Sequence, residues 1–411
     1  MASTPATFPD RLPVDLGGLR DTVEALAGLS RLAGSPGERQ AATWLAARLE
    51  DAGCHTVVEH EDAHAHYWWS VGALSLMGAG GAALSLAGRR PLGMALSALA
   101  AAGIVDDVSN GPRWFRRVAL PRQRTQNVVA RAGDVEAAPT LVVLAHHDAS
   151  PSGVIFHPGP QRLLGQLAPS LLERLDTSVP LWWPVVGAPA LGAVGALARR
   201  RRLLIGALAM GLAAAATVAD VGRRPPVPGA NDNLSAVACL VALAEALSSR
   251  PVSGLRVLLV SCGAEESLQE GIRAFGARHF ASLPSRRTWF LVLDTVGSPQ
   301  LALLEGEGTL RMHDYPSPFK EWVAGWAQAA GAPVRRNLRA RSSTDGEIPR
   351  AAGYPTVTLT SVDAFKALSN YHLPSDRPEN LAYETVGAAA RAAEAVVRGL
   401  AREAGSSARA D

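Results

Sequence analysis

The chain has 411 residues, of which 48% are hydrophobic and 19% charged, and its formal net charge is +3. Lysine occurs only at Lys320 and Lys366. The numerous arginines are scattered, without a basic helix or interleaved stacking aromatics, so the sequence predicts no nucleic-acid partner. The chain has only three cysteines: Cys54, Cys239 and Cys262. They have no metal-binding spacing, and their odd number does not support a disulfide framework.

The hydrophobic residues are concentrated in four stretches without a charged residue: residues 67–88, 91–105, 177–198 and 203–219. Arginines separate the members of each pair, with Arg89 and Arg90 in the first pair and residues 199–202 in the second. A membrane-spanning helix needs about 20 predominantly apolar residues, so the first and third stretches suffice and the other two are marginal. The sequence therefore predicts two transmembrane helical hairpins with basic tips, at residues 67–108 and 177–222.

Tryptophans and small residues in these stretches also favour a lipid environment. Several tryptophans lie at the ends away from the basic tips, as in an aromatic belt: Trp68, Trp69, Trp114, Trp182 and Trp183. The GAGGAA segment suits close helix packing in lipid. The six arginines of the tips favour cytoplasmic tips, which would leave the rest of the chain outside the cytoplasm. The opposite orientation stays open, because seven arginines flank the other ends: Arg113, Arg116, Arg117, Arg122, Arg124, Arg223 and Arg224. The alternative is that these alanine-rich helices are buried in a large soluble core.

Three continuous apolar runs predict buried parallel strands. TLVVLAHHD ends in His146 and Asp148, LRVLLVSCGAEE ends in Glu265 and Glu266, and TWFLVLD ends in Asp294. In open α/β sheets, ligands gather at the carboxyl ends of the strands. These side chains are therefore expected to converge in space, although they are far apart in the sequence.

Two further residues extend this set. Asp232 in GANDNLSA opens a segment of helical periodicity, and His372 lies in NYHLPSD. Imidazoles and carboxylates are the ligands of catalytic zinc sites, which also need a base for the attacking water. A single acid after a strand is more often a helix cap or a surface residue, but so many in order favour a metal site. The expected fold is α/β, with a mostly parallel mixed sheet and helices on both faces.

These segments resemble metallopeptidase family twenty-eight, which includes bacterial leucyl aminopeptidases and glutamate carboxypeptidase II. The family pattern of an H-x-D, a G-A-x-D stretch, an E-E pair, an L-D and a late histidine is met by HHD, GANDNLSA, AEES, VLDT and YHLPSD. The early segment RLAGSPGERQAATWLAARLEDAGC is similar to the first helices of the family. The resemblance covers residues 16–66, 125–150 and 226–402.

The resemblance implies two zinc sites that share Asp232 as a bridging ligand. His146 and Asp294 would complete one site, and Glu266 and His372 the other. The implied cofactor is therefore a pair of Zn2+ ions, and the implied substrate is a peptide.

The resemblance also implies roles around these ligands. Glu265 would be the general base, and Asp148 would orient the first imidazole. A cis peptide bond is implied between Asp232 and Asn233. His147 stands where the family often has tyrosine, and we expect it to be a residue of the site's rim.

The sequence departs from the family pattern at two places. Residues 147–231 form a far longer connection between the first histidine and the bridging acid than the family has. The family's S-D-H before the last strand is replaced by Ser343, Thr344, Asp345 and Gly346. The second departure leaves the details of the substrate pocket open.

The expected protein is a membrane-associated zinc peptidase that removes N-terminal residues. Its peptidase domain would comprise residues 1–66, 109–176 and 223–411, interrupted by the two hairpins. One alternative is a catalytically silent receptor or scaffold on the peptidase fold, although such relatives have lost ligands. Another is a glutaminyl-cyclase-like acyl transferase, which is expected to hold one zinc ion.

Overall fold

The computed structural model describes residues 13–407 and the side chains of residues 13–404. The helices are α1 Leu16–Ala27, α2 Pro36–Asp51, α3 Tyr67–Leu86, α4 Arg90–Val108, α5 Trp114–Ala119, α6 Gly159–Leu167, α7 Pro169–Arg174, α8 Trp183–Leu197, α9 Arg201–Gly222, α10 Ser235–Ser249, α11 Glu270–His279, α12 Ser317–Ala329, α13 Glu347–Ala351 and α14 Tyr383–Ser407. The strands are β1 His55–Ala63, β2 Gln123–Gly133, β3 Thr140–His146, β4 Arg256–Cys262, β5 Thr288–Leu293, β6 Gln300–Glu307, β7 His313–Asp314, β8 Arg335–Ala340 and β9 Thr356–Val362.

All the strands form one mixed sheet in the order β1-β2-β4-β3-β5-β9-β6-β7, with β8 also paired to β6. The four central strands β4, β3, β5 and β9 run parallel. The flanking pairs of β1 with β2, β2 with β4, β6 with β9 and β6 with β7 are antiparallel. The α/β fold is confirmed, although the parallel part is limited to the centre of the sheet and the pair of β6 with β8.

Both faces of the central strands are buried, as their continuous apolar sequences predict. In β3, Leu141 and Val143 face a core formed with α1, α2, α10, α12 and α14, while Val142 and Leu144 face a smaller core around α11. This alternation follows from the two-residue repeat of a strand. Helices therefore cover both faces of the sheet, and the carboxyl ends of β3, β4 and β5 lie at one edge.

The two predicted hairpins fold as helical hairpins that pack on each other. The first hairpin is α3 and α4, and the second is α8 and α9. Contacts join α3 to α4, α4 to α8, α8 to α9 and α9 to α3, which closes a four-helix bundle. Before α8, Thr177 pairs with Arg339 of β8 in an isolated β-bridge, in which the N–H of Ser178 donates to the carbonyl of Arg339. Helical structure in the second insertion therefore begins at Trp183.

Small residues allow the bundle helices to approach closely. A Cβ atom added to Gly81 would lie 2.6 Å from the carbonyl oxygen of Gly93, and one added to Gly93 would lie 2.3 Å from that of Gly81. A Cβ added to Gly78 would lie 2.7 Å from Pro189 Cβ. The backbones of α3 and α4 are thus in direct contact, which agrees with the packing predicted from GAGGAA.

By length and composition, four helices could cross a membrane: Tyr67–Leu86, Arg90–Val108, Arg201–Gly222 and Ala230–Ser249. The first three belong to the bundle, and no more than 50% of each apolar window is buried. The fourth includes α10 and is 72% buried, because it packs in the main core beneath the sheet. The remaining bundle helix, Trp183–Leu197, is a shorter apolar helix.

Candidate metal centre

The sheet brings the predicted ligand positions to one edge. His146 ends β3, Glu266 lies in the turn after β4, and Asp294 follows β5 directly. Asp232 lies in a kinked turn that leads into α10, and His372 lies in the loop after β9. Two groups of potential ligand atoms result, each with its atoms within 4.8 Å of one another: His146 with Asp232 and Asp294, and Asp232 with Glu266 and His372.

Asp232 belongs to both groups and presents a different oxygen atom to each. Its Oδ1 lies 3.2 Å from Nε2 of His146, and its Oδ2 lies 3.0 Å from Nε2 of His372. Nε2 of His372 also lies 3.1 Å from Oε1 of Glu266. This is the geometry expected of a carboxylate that bridges two metal ions.

Some of these contacting atoms lack ordinary hydrogen bonds. Nε2 of His372 and Oε1 of Glu266 are buried without a hydrogen-bond partner, despite their proximity. Buried polar atoms are normally satisfied, so an unsatisfied group calls for an explanation such as an ion. The convergence of nitrogen and oxygen lone pairs here fits the ligand chemistry of zinc.

The electrostatics of the site also call for positive charge. Burial alone would lower the pKa of His372, but Glu266 and Asp232 outweigh burial and raise this pKa to about 10. Burial and the neighbouring Asp232 raise the pKa of Asp294 to about 6. A bound cation would relieve the repulsion between these carboxylates, because its positive charge stabilises their ionised forms.

Glu265 lies beside the two ligand groups without belonging to either. Its Oε2 is 3.9 Å from Nε2 of His146, and its Oε1 accepts a hydrogen bond of 2.9 Å from Nε2 of Gln269. Burial raises the pKa of Glu265 well above its usual range, with His146 opposing this and Asp345 adding to it. A carboxyl group with a raised pKa at this place is suited to accept and return a proton.

Asp148 contacts both the imidazole of His146 and the turn after β4. Its Oδ1 lies 3.4 Å from Nδ1 of His146. Its two oxygens accept the backbone N–H groups of Glu265 and Glu266, at 3.1 and 3.0 Å. One carboxylate therefore contacts an imidazole and fixes two further residues of the site.

Several residues that the sequence did not point to hold the loops of the site. Asp376 accepts the backbone N–H groups of Asn231 and Asp232, and the Arg31 guanidinium donates to the carbonyls of residues 147, 228 and 229. Glu38 accepts the N–H of Ala264, which precedes the glutamate pair. All three lie in segments quoted for the resemblance, Asp376 in NYHLPSD and the other two in RLAGSPGERQAATWLAARLEDAGC, but the sequence assigned none of them a role.

The cis bond implied between Asp232 and Asn233 is present. The side-chain amide of Asn233 bonds to the carbonyl of Leu293 and to the N–H of Thr295, and it therefore brackets Asp294. Thr295 also donates its hydroxyl to Asp294 Oδ1 at 2.7 Å. The turn after the bridging position thus fixes another predicted ligand.

His147 is not a rim residue, contrary to expectation. It is fully buried, and its Nδ1 lies 2.9 Å from the hydroxyl of Ser261. Burial lowers the pKa of His147 to about 4, so the ring is neutral near pH 7. The side chain of residue 147 alternates to the opposite side from His146, which places it in the core.

The replaced S-D-H segment puts a second acid beside Glu265. Asp345 is buried, and neither carboxylate oxygen has a hydrogen-bond partner. Burial raises the pKa of Asp345 to about 8, and Asp148 and Asp294 add to this while His146 opposes it.

Two aromatic rings cover the site beside His372. The ring centroids of Tyr371 and Phe156 lie 3.8 and 4.4 Å from that of His372.

Peptidase family M28 matches residues 216–397, a range that includes four of the five predicted ligands and Glu265 but not His146. The chain is similar to a Zn-dependent exopeptidase from Parabacteroides distasonis, at 14% identity and a TM-score of 0.55 over 95% of this chain and 99% of that one. It is similar to an aminopeptidase from Aneurinibacillus sp. strain AM-1, at 13% identity and a TM-score of 0.54 over 94% and 93%.

A glutaminyl cyclase from Fimbriiglobus ruber is also similar, at 16% identity and a TM-score of 0.56 over 97% of this chain and 99% of that one. No protein with a curated description matches the sequence. Because the identities are low, these structures establish the shared fold. The chain thus matches peptidase family M28 over residues 216–397, on a fold that a Zn-dependent exopeptidase, an aminopeptidase and a glutaminyl cyclase have in common.

Proposed function

We propose that this protein is a two-zinc peptidase that removes N-terminal residues from peptides. The observation that carries the proposal is the arrangement around Asp232, whose two oxygens each approach a different imidazole. His146 and Asp294 would hold one ion, and Glu266 and His372 the other. When bound, the two ions would lower the pKa of a water molecule and polarise the scissile carbonyl.

The residues of the chain divide the remaining chemistry. Glu265 accepts the proton of the attacking water through Oε2, since its Oε1 is occupied by Gln269. It then returns the proton to the leaving amine. Asp148 orients His146 and holds the backbone of Glu265, so the base and a ligand are positioned by the same carboxylate. The rings of Tyr371 and Phe156 limit water on the His372 side.

Metal content tests the proposal directly. The purified protein, dialysed against zinc and measured by elemental analysis, should hold two ions per chain. Asp232→Ala should lose both, because it removes a ligand from each site. Asn380→Ala provides a control, since this exposed side chain bonds only to the carbonyl of Ser375. A variant at Asp232 that keeps two tightly bound ions would contradict the bridging role.

A glutaminyl-cyclase-like acyl transfer is the second candidate, favoured by the similarity to the cyclase folds. A cyclase-like enzyme is expected to bind one ion, so the metal count separates the two functions. A panel of free and N-blocked aminoacyl amides, together with N-terminal glutaminyl peptides, separates them by product. A silent scaffold is disfavoured because the structure brings every predicted ligand and Glu265 together.

We also propose that the four-helix bundle lies in a lipid bilayer, as an insertion in the peptidase domain. Its outward surface carries large exposed apolar side chains, including Leu76 at 54%, Leu197 at 73% and Leu212 at 50% exposure. Exposed apolar patches larger than a few hundred Å² are rare on soluble monomers. The domains are then residues 1–66, 109–176 and 223–411 for the peptidase, with hairpins in 67–108 and 177–222.

The charges favour a catalytic domain outside the cytoplasm. All six arginines at the hairpin tips are exposed: Arg89, Arg90, Arg199, Arg200, Arg201 and Arg202. At the opposite end of the bundle, Arg113 and Arg116 are buried and paired with Asp107 and Glu270. Five further arginines at this end are exposed, and two of them, Arg122 and Arg224, pair with Asp62 and Asp220. The other three are Arg117, Arg124 and Arg223, against six at the tips. The free positive charge is therefore greater at the tips, and positive loops remain cytoplasmic.

A further inference from the structure

The loop that carries Glu265 has an unusual backbone. Residues 264–270, here called the glutamate loop, connect β4 to α11. Ala264, Leu268 and Gln269 have φ angles of 51, 64 and 61 degrees, although none is glycine. Left-handed conformations are unfavourable for such residues and persist where the surrounding structure fixes them. The glutamate loop therefore needs partners outside itself.

Residues 107–116, at the end of α4 and the start of α5, supply these partners and are here called the base of the first hairpin. Arg116 of α5 donates through Nη1 to the carbonyl of Ser267 at 2.6 Å, and Arg113 donates to the carbonyl of Leu268 and pairs with Glu270. These arginines are buried, and Nη2 of Arg116 lies 2.7 Å from Oδ1 of Asp107 in α4. The loop is thus attached to the end of α4 through buried charges.

The attachment continues to α3. Ser70 donates its hydroxyl to Oδ2 of Asp107 at 3.0 Å. The side chain of Leu268 packs against apolar clusters that contain Tyr67 and Leu74 of the same helix. Both helices of the first hairpin therefore contact the chain that holds the glutamate loop.

A hydrogen-bond chain then reaches Glu265 itself. Asn110, just beyond α4, donates from Nδ2 to Oε1 of Gln269 at 3.2 Å. Gln269 donates from Nε2 to Oε1 of Glu265 and to the carbonyl of Ser343, each at 2.9 Å. These bonds leave Oε2 of Glu265 as the oxygen that faces His146. Arg273 fixes the start of the chain by donating to the carbonyl of Asn110 at 2.9 Å.

We infer that the base of the first hairpin is part of the catalytic apparatus, with Gln269 as the positioning residue of Glu265 and Asn110 as the positioning residue of Gln269. The inference rests on the proposed role of Glu265 as the base. It means that the apolar bundle is more than an anchor, because α4 sets the orientation of the carboxylate that moves the proton.

A double-mutant cycle on kcat tests the positioning role. With a chromogenic aminoacyl 4-nitroanilide as substrate, Gln269→Ala should lower kcat about ten- to a hundredfold, because a hydrogen bond to a charged group is lost. Asn110→Ala should lower kcat by a smaller factor, with KM and zinc content unchanged. The double variant should be no worse than Gln269→Ala, since coupled residues are not additive. Additive losses, or an unchanged kcat in Gln269→Ala, would overturn the inference.

Asn337→Ala is the matched control for Asn110→Ala. Asn337 and Asn110 both have left-handed backbones, with φ of 64 and 56 degrees respectively, so both substitutions carry the same backbone cost. Asn337 lies on β8, and its backbone N–H bonds to Glu305, far from the glutamate loop. Equal loss of kcat in the two variants would indicate a general effect on folding and would contradict a positioning role.

Amide hydrogen exchange provides a readout that does not need turnover. Arg116→Met should accelerate exchange of the amides in the glutamate loop, while the control at Asn337 should leave them protected. Unchanged exchange would show that the arginine does not hold the loop. If the parent protein turns over no substrate, or Glu265→Gln stays active, the proposed function fails. If Glu265→Gln is inactive but Gln269→Ala keeps the kcat of the parent, the positioning role alone fails.

Discussion

The contact between α3 and α4 allows a sharp prediction from two adjacent glycines. A Cβ atom on Gly81 would meet the carbonyl oxygen of Gly93 at 2.6 Å and the backbone nitrogen of Ser97 at 2.9 Å. Ordinary van der Waals contact begins at 3.4 Å, so α4 would have to move by about 0.8 Å. A Cβ atom on Gly80 would meet nothing within 4 Å. Both positions lie in the middle of the same helix.

We expect Gly81→Ala to be less stable than Gly80→Ala by about 1–3 kcal/mol, the usual cost of overpacking. Alanine gains about 1 kcal/mol over glycine in a helix interior, and this gain cancels when the two variants are compared. The glutamate loop should also lose protection in Gly81→Ala, because α4 carries Asp107 and leads to Asn110.

The assay is unfolding in mixed detergent micelles, titrated with SDS and followed by tryptophan fluorescence. Trp68 and Trp182 report on this bundle, because they pack at its base. Equal unfolding free energies for the two variants would refute the backbone contact between α3 and α4. A more stable Gly81→Ala would refute the direction of the effect as well.

Three further predictions concern the base, a buried acid and the bundle. Glu265→Gln should keep two zinc ions and lose about 10²–10⁴ in kcat, measured by zinc analysis and initial rates, and activity within threefold of the parent would contradict the assignment. Burial raises the pKa of Glu307 from 4.5 to about 8, so its contribution to stability is complete below pH 4.5 and is lost as the pH rises to 8. The parent should lose up to about 5 kcal/mol relative to Glu307→Gln over this range, and parallel pH profiles of thermal unfolding would exclude this. The full-length chain should stay with membranes after carbonate extraction, and a monodisperse protein without detergent would argue against a bilayer position.

The contacts of the first hairpin determine what its deletion should do to the site. All five predicted ligands lie outside the hairpins at 67–108 and 177–222, so replacing the hairpins with short linkers would remove none of them. Asp107 lies in the first hairpin and contacts Arg116, and Asn110, which bonds to Gln269, follows α4 directly. We therefore expect that removing the first hairpin disorders the glutamate loop. A deletion variant with full activity would contradict this expectation.

The sequence by itself determined the fold class and predicted which residues meet at the site. Continuous apolar strands that end in His146, the glutamate pair and Asp294 require a buried parallel sheet, and the ends of such strands meet at one edge. The hairpins were also readable, because uncharged stretches of helical length interrupted by arginines allow few other structures. These are local patterns, so no knowledge of long-range contacts was needed.

The tertiary structure alone decided which polar residues support the site. Arg31 and Glu38 act through partners far away in the sequence, and Gln269 joins the nearby Glu265 to the distant Asn110. No periodicity or spacing marks these contacts. The burial of His147 was likewise undecidable, because a residue just after a strand can face either side. Above all, the attachment of α4 to the glutamate loop depends on charges that meet only when two distant segments pack together, and a linear pattern carries no information about such a meeting.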